Sequence, residues 1–417
     1  MIVYKFGGAS VSSAEAIRNL YAIISEREGE LFMVVSAFGK MTNALENLVD
    51  SWYRGGDERF LLLGRIREYH ENIIYSLFGK GSDVVINDFN NCISAVESKL
   101  RSSPSRSYDY EYDQVVSLGE LASTRIVSFY LESRNIATYW ADAREWLITD
   151  DTHREANVDF TFSLKRLRNV VSKAGGRVVV TQGFVGGTRN GATTTLGREG
   201  SDYTAAVAAN LLDAGNVVVW KDVPGILTAD PLFYPGADKI DEISYHEAIE
   251  LSYYGAKVIH PKTIKPLQNK NIPLHVKSFT DPAGSGTIIS DRGGAAELKP
   301  VVIVKNNQML VSLTPKDFSF VVEDCLSRVF AVFFRHRTKV NLIQHSAISF
   351  TLCMDNSGRL TGRLLDELRG DFRVLYNEGL ELVTIRHYTD HCIKEHTSGR
   401  TVLVEQRSRN TVQFVIK

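Results

Sequence analysis

A chain of 417 residues with 48 basic and 49 acidic side chains, net charge −1, is long enough for two or three domains. That balance gives no bulk electrostatic reason to bind nucleic acid or a membrane surface, and small or amphoteric partners fit better. The apolar runs are strand-sized and Met1 leads straight into Ile2-Val3-Tyr4, so neither export nor membrane spanning is indicated and a cytoplasmic protein is expected.

The first run, IVYKF, reads as a short strand. Ser12 and Glu15 form an S-x-x-E capping box ahead of Ile17, Leu20, Tyr21 and Ile24 at helical spacing. LFMVVSAF is a continuous apolar run, the pattern of a strand buried on both faces, and it completes the start of a βαβ unit. A long helical stretch runs from Met41 to about Leu100, broken near Gly55-Gly56 and Gly79–Gly81 and ended by SSPSRS. VVSLGELASTRIVSFYLESR reads as another helix. Strands follow at IATYWAD, RVVVTQGFVG, NVVVWKDV and IPLHVKSF, separated by helices or by an Asn190-Gly191 hairpin turn. Such alternation predicts an α/β fold, a mostly parallel sheet with helices on both faces.

The polar, glycine-containing segment DRGGAAELKP, residues 291–300, is the linker candidate. Beyond it QMLVSLT is a strand, FVVEDCLSRVFAVFFRHR an amphipathic helix, VNLIQHSA and ISFTLCMD a pair of strands, and RLTGRLLDELRG a helix. The apolar runs FRVLY and LELVTIRHY come next, the latter opening a shorter second unit that closes with the hairpin VLVEQRSRNTVQFVIK. Four cysteines, Cys92, Cys325, Cys353 and Cys392, are dispersed without a CxxC pair and read as reduced, packed thiols.

Several residues point to anion chemistry. Lys5 in YKFGGAS ends the first strand, and Gly7-Gly8 leave backbone N–H groups open beside its cation, as loops that hold phosphate do. A tight turn with an exposed lysine would read the same way. In TTTLGREGSD, residues 193–202, glycines free the backbone and Ser201 or Asp202 is able to cap the helix SDYTAAVAANLL, leaving its positive end facing the loop. Arg198 adds a planar fork for carboxylate or phosphate, and Asp202 would organise lysines or a metal-bound phosphate; a capped helix with solvated charges is the alternative. Glu120 in SLGELAST is a carboxylate in a segment apolar enough to be buried, so it needs a partner, either a ligand ammonium or an internal arginine such as Arg125. Lys221 and Asp222 follow a very apolar strand, where α/β sheets place ligands. Lys257 in YYGAKVIHP is a third lysine candidate or a surface cation. GKMT at 39–42 lacks the upstream glycine of a Walker A loop, there is no HRD or DFG set, and His391, Cys392 and His396 lack a fourth metal ligand.

Taken together these residues resemble the aspartate kinases of the amino-acid kinase family. YKFGGAS, SLGELAST, TQGFVGG, TTTLGREGSDYTAA, WKDVPGILTADP and YGAKVIHP occur in that family's order between residue 2 and about residue 260. The C-terminal part resembles its paired ACT regulatory units more loosely. The resemblance implies a three-layer αβα sandwich over residues 1–290, a linker at 291–300, a first ferredoxin-like ACT unit over 301–375 and a second, truncated one over 376–417. It implies transfer of phosphate from MgATP to the β-carboxylate of L-aspartate. By resemblance Lys5, Phe6, Gly7 and Gly8 hold the transferred phosphate, Arg198 grips the aspartate α-carboxylate and Glu120 its ammonium. Thr42, Glu199, Gly200 and Ser201 complete that pocket, with Asp202 beside the reacting groups. Lys221, Asp222, Leu227, Leu232, Lys257 and Val258 match the nucleotide side, with ATP and Mg²⁺ as the implied cosubstrate and ion.

The chain departs from the family pattern at Lys221, where a small hydroxyl residue is common, at Leu227 for tyrosine, and at Leu232 for arginine, all on the nucleotide side. Asn341 and Ala347 stand where lysine-inhibited relatives carry acids, so the identity of an amino-acid effector is open. Pairing of ACT edges implies a homodimer. The rival readings are a kinase of glutamate, acetylglutamate, carbamate or UMP, and a non-catalytic amino-acid sensor. The length leaves no room for a fused homoserine dehydrogenase.

Overall fold

A computed structural model describes residues 1–27, 29–256, 259–291, 299–316 and 323–417. It divides into two compact units: residues 1–226, 239–249 and the described part of 258–295, and a smaller one of 227–238, the described part of 250–257 and the described part of 296–417.

The larger unit is organised on an eight-stranded sheet. In spatial order its strands are Glu242–Ser244, Thr287–Ser290, Leu274–Ser278, Asn216–Lys221, Ile2–Phe6, Leu31–Val35, Val178–Gln182 and Thr138–Ala141. All neighbours run parallel except the pair 274–278 and 287–290. Every residue of Leu31–Val35 and of Val178–Gln182 is buried, as a parallel strand covered on both faces requires. One group of helices, Phe160–Ala174, Gly200–Leu211 and Pro261–Gln268, packs together, with Gly200–Leu211 lying on the three central strands. Leu118–Ser133 packs on the strands 31–35, 138–141 and 178–182 together with a second group, Met41–Tyr53, Arg59–Phe78 and Asp83–Leu100. This is the expected three-layer αβα sandwich.

Local differences from the sequence reading have simple causes. The cap of the first helix, Ala14–Ser25, is Ser13, whose hydroxyl accepts from Ala16 N, while Ser12 Oγ donates to Ala9 O instead. Residues 115–134 are divided between two helices, Tyr108–Val116 and Leu118–Ser133, meeting at Ser117. The hairpin signal at Asn190-Gly191 joins Val185–Thr188 to the antiparallel strand Thr193–Thr195.

The smaller unit carries a six-stranded antiparallel sheet in the order 340–345, 350–355, 301–315, 372–386, 411–416, 402–407. FRVLY and LELVTIRHY, two runs in sequence, lie in one strand, Phe372–Arg386, paired along Val301–Pro315 with register breaks at Lys305/Gln308 and Gln308/Leu310. On one side of the breaks, Gln308–Leu313 pairs with 350–355, and helices Glu323–Arg335 and Arg359–Leu368 supply apolar residues to the same core. On the other, Glu381–Arg386 pairs with 411–416, and the core includes Cys392 of the helix Asp390–Thr397. Each half is thus an ACT-like α+β unit, and Val301–Lys305, upstream of the first half, supplies a strand to the second. No described helix is long and apolar enough to cross a membrane.

Candidate active site

The first and eighth strands in chain order, Ile2–Phe6 and Asn216–Lys221, are neighbours in register, Lys5 opposite Val219 and Phe6 opposite Trp220. Their carboxyl ends therefore deliver two lysines to one place, the edge of a parallel sheet where α/β folds bind ligands. Between them stands Asp202, in the first turn of Gly200–Leu211. Lys5 Nζ lies 2.6 Å from Asp202 Oδ1, and Lys221 Nζ donates to Oδ2 at 3.1 Å. Burial would raise the Asp202 carboxyl, but the two ammonium groups outweigh it and hold it down at about 2. The group is ionised across the neutral range and is no proton acceptor there. Burial opposes charge on Lys221, yet Asp202 and then Glu199 raise its value. The array carries two cations on one carboxylate, so it keeps a net positive charge for an incoming anion.

The helix entrance differs from the sequence reading in one respect. Its cap position is Glu199, left-handed at φ 53° and without a side-chain cap bond, while Ser201 and Asp202 lie inside the first turn. With no side chain of its own on the terminal N–H groups, the positive end of this helix is open to an anion. Burial raises the Glu199 carboxyl, and its Oε2 is enclosed without a hydrogen-bond partner among the described residues. Arg198 is exposed and has no hydrogen-bond or salt-bridge partner among the described residues. The helix is pinned by Phe184 N donating to Thr204 Oγ1 at 3.1 Å and by Thr204 Oγ1 donating to Gly200 O at 2.9 Å.

Gly7 and Gly8 follow Lys5 as expected, and the need for glycine at 8 is steric. A Cβ there would stand 2.5 Å from Gly39 O and 3.1 Å from Ala37 O. This close approach brings the loop after Leu31–Val35 against the loop after Ile2–Phe6. Ala37 N–H also serves Glu120, which is 2 % exposed and sits at the start of Leu118–Ser133. Burial pushes the Glu120 carboxyl up to about 8 against the pull of backbone N–H groups of Ala37 and its own residue and of Lys5, and its Oε2 has no hydrogen-bond partner among the described residues. Arg125 is not that partner, because it is bound to Asp88 by Nε at 2.8 Å and by a second, shorter contact. Thr42 is half-buried in the first turn of Met41–Tyr53.

Other candidates are less gathered. Asp222 is exposed. Leu227 and Leu232 belong to the smaller unit, and Leu232 is 86 % exposed. Lys257 and Val258 lie outside the described residues, as does most of the linker candidate at 291–300. The sequence reading missed the buried cluster of Asp113, His153 and Thr195. Its one sequence signal was an acid two residues before the apolar pair Val115-Val116 in YDYEYDQVV.

Two cations on one buried carboxylate, an open helix end and two glycines beside Lys5 define a site for phosphate rather than for acid–base chemistry. Residues 1–278 match the model of the amino acid kinase family. The chain is 35 % identical over 399 residues to lysine-sensitive aspartokinase 3 of Escherichia coli, covering 92 % of this chain and 86 % of that protein. The crystal structure of E. coli aspartokinase III with aspartate and ADP superposes with a TM-score of 0.84 at 30 % identity, over 100 % of this chain and 96 % of that one. The complex of the same enzyme with lysine and aspartate gives 0.84 at 30 % identity, over 100 % and 95 %. The chain belongs to the amino acid kinase family and is a phosphotransferase. Within that family it falls among the aspartokinases.

Proposed function

We propose that the larger unit, residues 1–290, transfers the γ-phosphate of ATP to the β-carboxylate of L-aspartate, forming 4-phospho-L-aspartate. The observation that carries this reading is the Lys5–Asp202–Lys221 array, with the open end of Gly200–Leu211 beside it and Glu120 buried with its Oε2 unpartnered among the described residues. The acceptor carboxylate is ionised at neutral pH, so the reaction needs no base. Its demands are alignment and neutralisation of phosphate charge. In this reading Lys5, Phe6, Gly7 and Gly8 receive the transferred group, and Asp202 keeps both lysines aimed. Arg198 takes the α-carboxylate, and Glu120 ionises against the α-ammonium. Thr42, Glu199, Gly200 and Ser201 complete the aspartate pocket. Lys221, Asp222, Leu227, Leu232, Lys257 and Val258 serve ATP.

Among the described residues no group of three or more His, Cys, Asp or Glu is placed to hold a metal, and Asp202 is engaged by lysines on both oxygens. That donor set suits Mg²⁺ arriving on the nucleotide phosphates with its own waters. Bound so, the ion would add to the neutralisation of phosphate charge.

The smaller unit is assigned to regulation by an amino-acid effector, and the chain to a cytoplasmic homodimer joined at ACT sheet edges. The edges of its sheet, 340–345 and 402–407, offer unpaired backbone. Asn341 is buried, its Oδ1 accepting from Lys305 Nζ at 2.9 Å and its Nδ2 donating to Gln308 and Asp355; Ala347 is exposed. Coupled turnover with aspartate against glutamate tests the catalytic reading, and its absence with aspartate refutes it. Repeating the assay with lysine, threonine and methionine identifies the effector, and light scattering at micromolar concentration tests the dimer.

A further inference from the structure

Asp113 is fully buried in the last turns of Tyr108–Val116, the helix directly before the one that carries Glu120. Its carboxylate joins three segments. Thr195 Oγ1 donates to Oδ1 at 2.6 Å, His153 Nδ1 lies 2.7 Å from Oδ2, and the backbone N–H of Arg154 reaches both oxygens at 3.2 and 3.1 Å. Next to it Gln114 clasps Thr193, Nε2 donating to Thr193 O at 2.8 Å and Oε1 accepting Thr193 N at 3.3 Å. The strand Thr193–Thr195 is thereby fastened to the helix just three residues before Arg198.

Arg154 completes the link. It holds φ at 68°, a left-handed conformation that costs a non-glycine residue of order 1 kcal/mol, and the Asp113 carboxylate bonded to its N–H is what sustains it. Its carbonyl oxygen then stands 3.0 Å from where a Cβ of Gly197 would lie, so the backbone next to Arg198 rests on it. Its guanidinium lies 4.4 Å over the Tyr112 ring and 3.6 Å from Glu46, one helical turn after Thr42. Asp202 itself is gripped by Lys5 and Lys221 rather than by Asp113, and its helix by the Phe184–Thr204 bond, which meets the hub through the Val185–Thr195 strand pair and Leu196 N donating to Phe184 O at 2.9 Å.

We propose that Asp113 is a positioning residue for amino-acid specificity: through Thr195 and the peptide of Arg154 it sets the loop that presents Arg198 to the substrate carboxylate. The inference rests on the role given above to Arg198. Because the two lysines grip Asp202 directly, loosening this hub weakens capture of the amino acid more than it weakens phosphoryl transfer.

The test uses the full chain with three variants. Asp113→Asn and Thr195→Val are near-isosteric and each removes a bond from the hub, whereas Thr195→Ser keeps the hydroxyl. Both disruptive changes are expected to raise the KM for aspartate about tenfold or more, the cost of about one buried hydrogen bond to a charged group. The KM for ATP should stay within about twofold and kcat within about threefold, and Thr195→Ser should behave as wild type. If folded variants keep the wild-type aspartate KM, or if both KM values rise and kcat falls together, the proposal is overturned. Should Asp113→Asn fail to fold, the Thr195 pair decides. Wild-type protein without aspartate-dependent turnover would defeat the catalytic reading itself, an outcome separate from any of these.

Discussion

Glu120→Gln replaces a buried acid by a neutral side chain of the same shape. The folded chain holds this carboxyl at about 8 against an ordinary 4.5, so between those values the unfolded chain has lost its proton and the folded chain has not. Stability contributed by the protonated group is complete below 4.5 and declines as pH rises toward 8. At about 1.4 kcal/mol per pH unit, the penalty is about 1 kcal/mol at pH 5, about 3 at pH 7 and about 5 above pH 9. Glutamine carries no such penalty. Without substrate, the variant should therefore be more stable than wild type, by an amount that grows with pH over this range. All four tryptophans, Trp52, Trp140, Trp146 and Trp220, lie in the larger unit, so urea unfolding followed by tryptophan fluorescence reports on the right part. The same substitution should raise the KM for aspartate by about a hundredfold or more, because the ammonium loses its buried counter-charge. Wild-type aspartate binding should release a proton near pH 7 as Glu120 ionises, visible as a buffer dependence of the calorimetric enthalpy. A variant less stable than wild type at pH 8, or one with an unchanged KM, would refute the reasoning.

Three further outcomes are expected. Arg198→Ala should act on the aspartate KM and Lys5→Ala chiefly on kcat, and steady-state kinetics showing the reverse would exchange the two roles. His70 is fully buried, stacked between Phe38 and Phe89, and burial lowers it to about 4 against 6.5. Its neutral form stabilises the fold fully above pH 6.5, and that contribution is lost as pH falls toward 4, by about 3 kcal/mol. His70→Phe should flatten that slope in urea titrations from pH 7 to 4, and parallel slopes would exclude His70 as its source. Gly8→Ala should cost about 1–3 kcal/mol by forcing the two site loops apart, lowering Tm and raising the KM for ATP; an unchanged melting curve would mean that the loops yield freely.

The site was legible where chemistry is local. A lysine at a strand end followed by two glycines, and an arginine at a helix entrance, declare themselves by spacing. The same holds for most helix and strand positions, whose periodicity reflects which face is buried. The local reading failed at Ser12 and at Ser117, where neighbouring residues of equal propensity compete and only the surrounding packing chooses between them.

By itself the sequence determined the α/β alternation, the βαββα order of the C-terminal region and the residues to suspect, because hydrophobic period and turn chemistry act over a few residues; the ACT reading came from the family resemblance. Only the tertiary structure decided what those residues do to one another. Parallel pairing of strands more than two hundred residues apart places Lys5 and Lys221 on Asp202, which reverses the effect of burial on that carboxyl. Folding also gives Arg125 to Asp88, and Glu120 is left with an oxygen unpartnered among the described residues. It fills the outer place in the second ACT-like half with Val301–Lys305, a strand from upstream of the first. Asp113 was invisible for the same reason. A buried carboxylate takes its meaning from partners that the chain delivers from forty and eighty residues away.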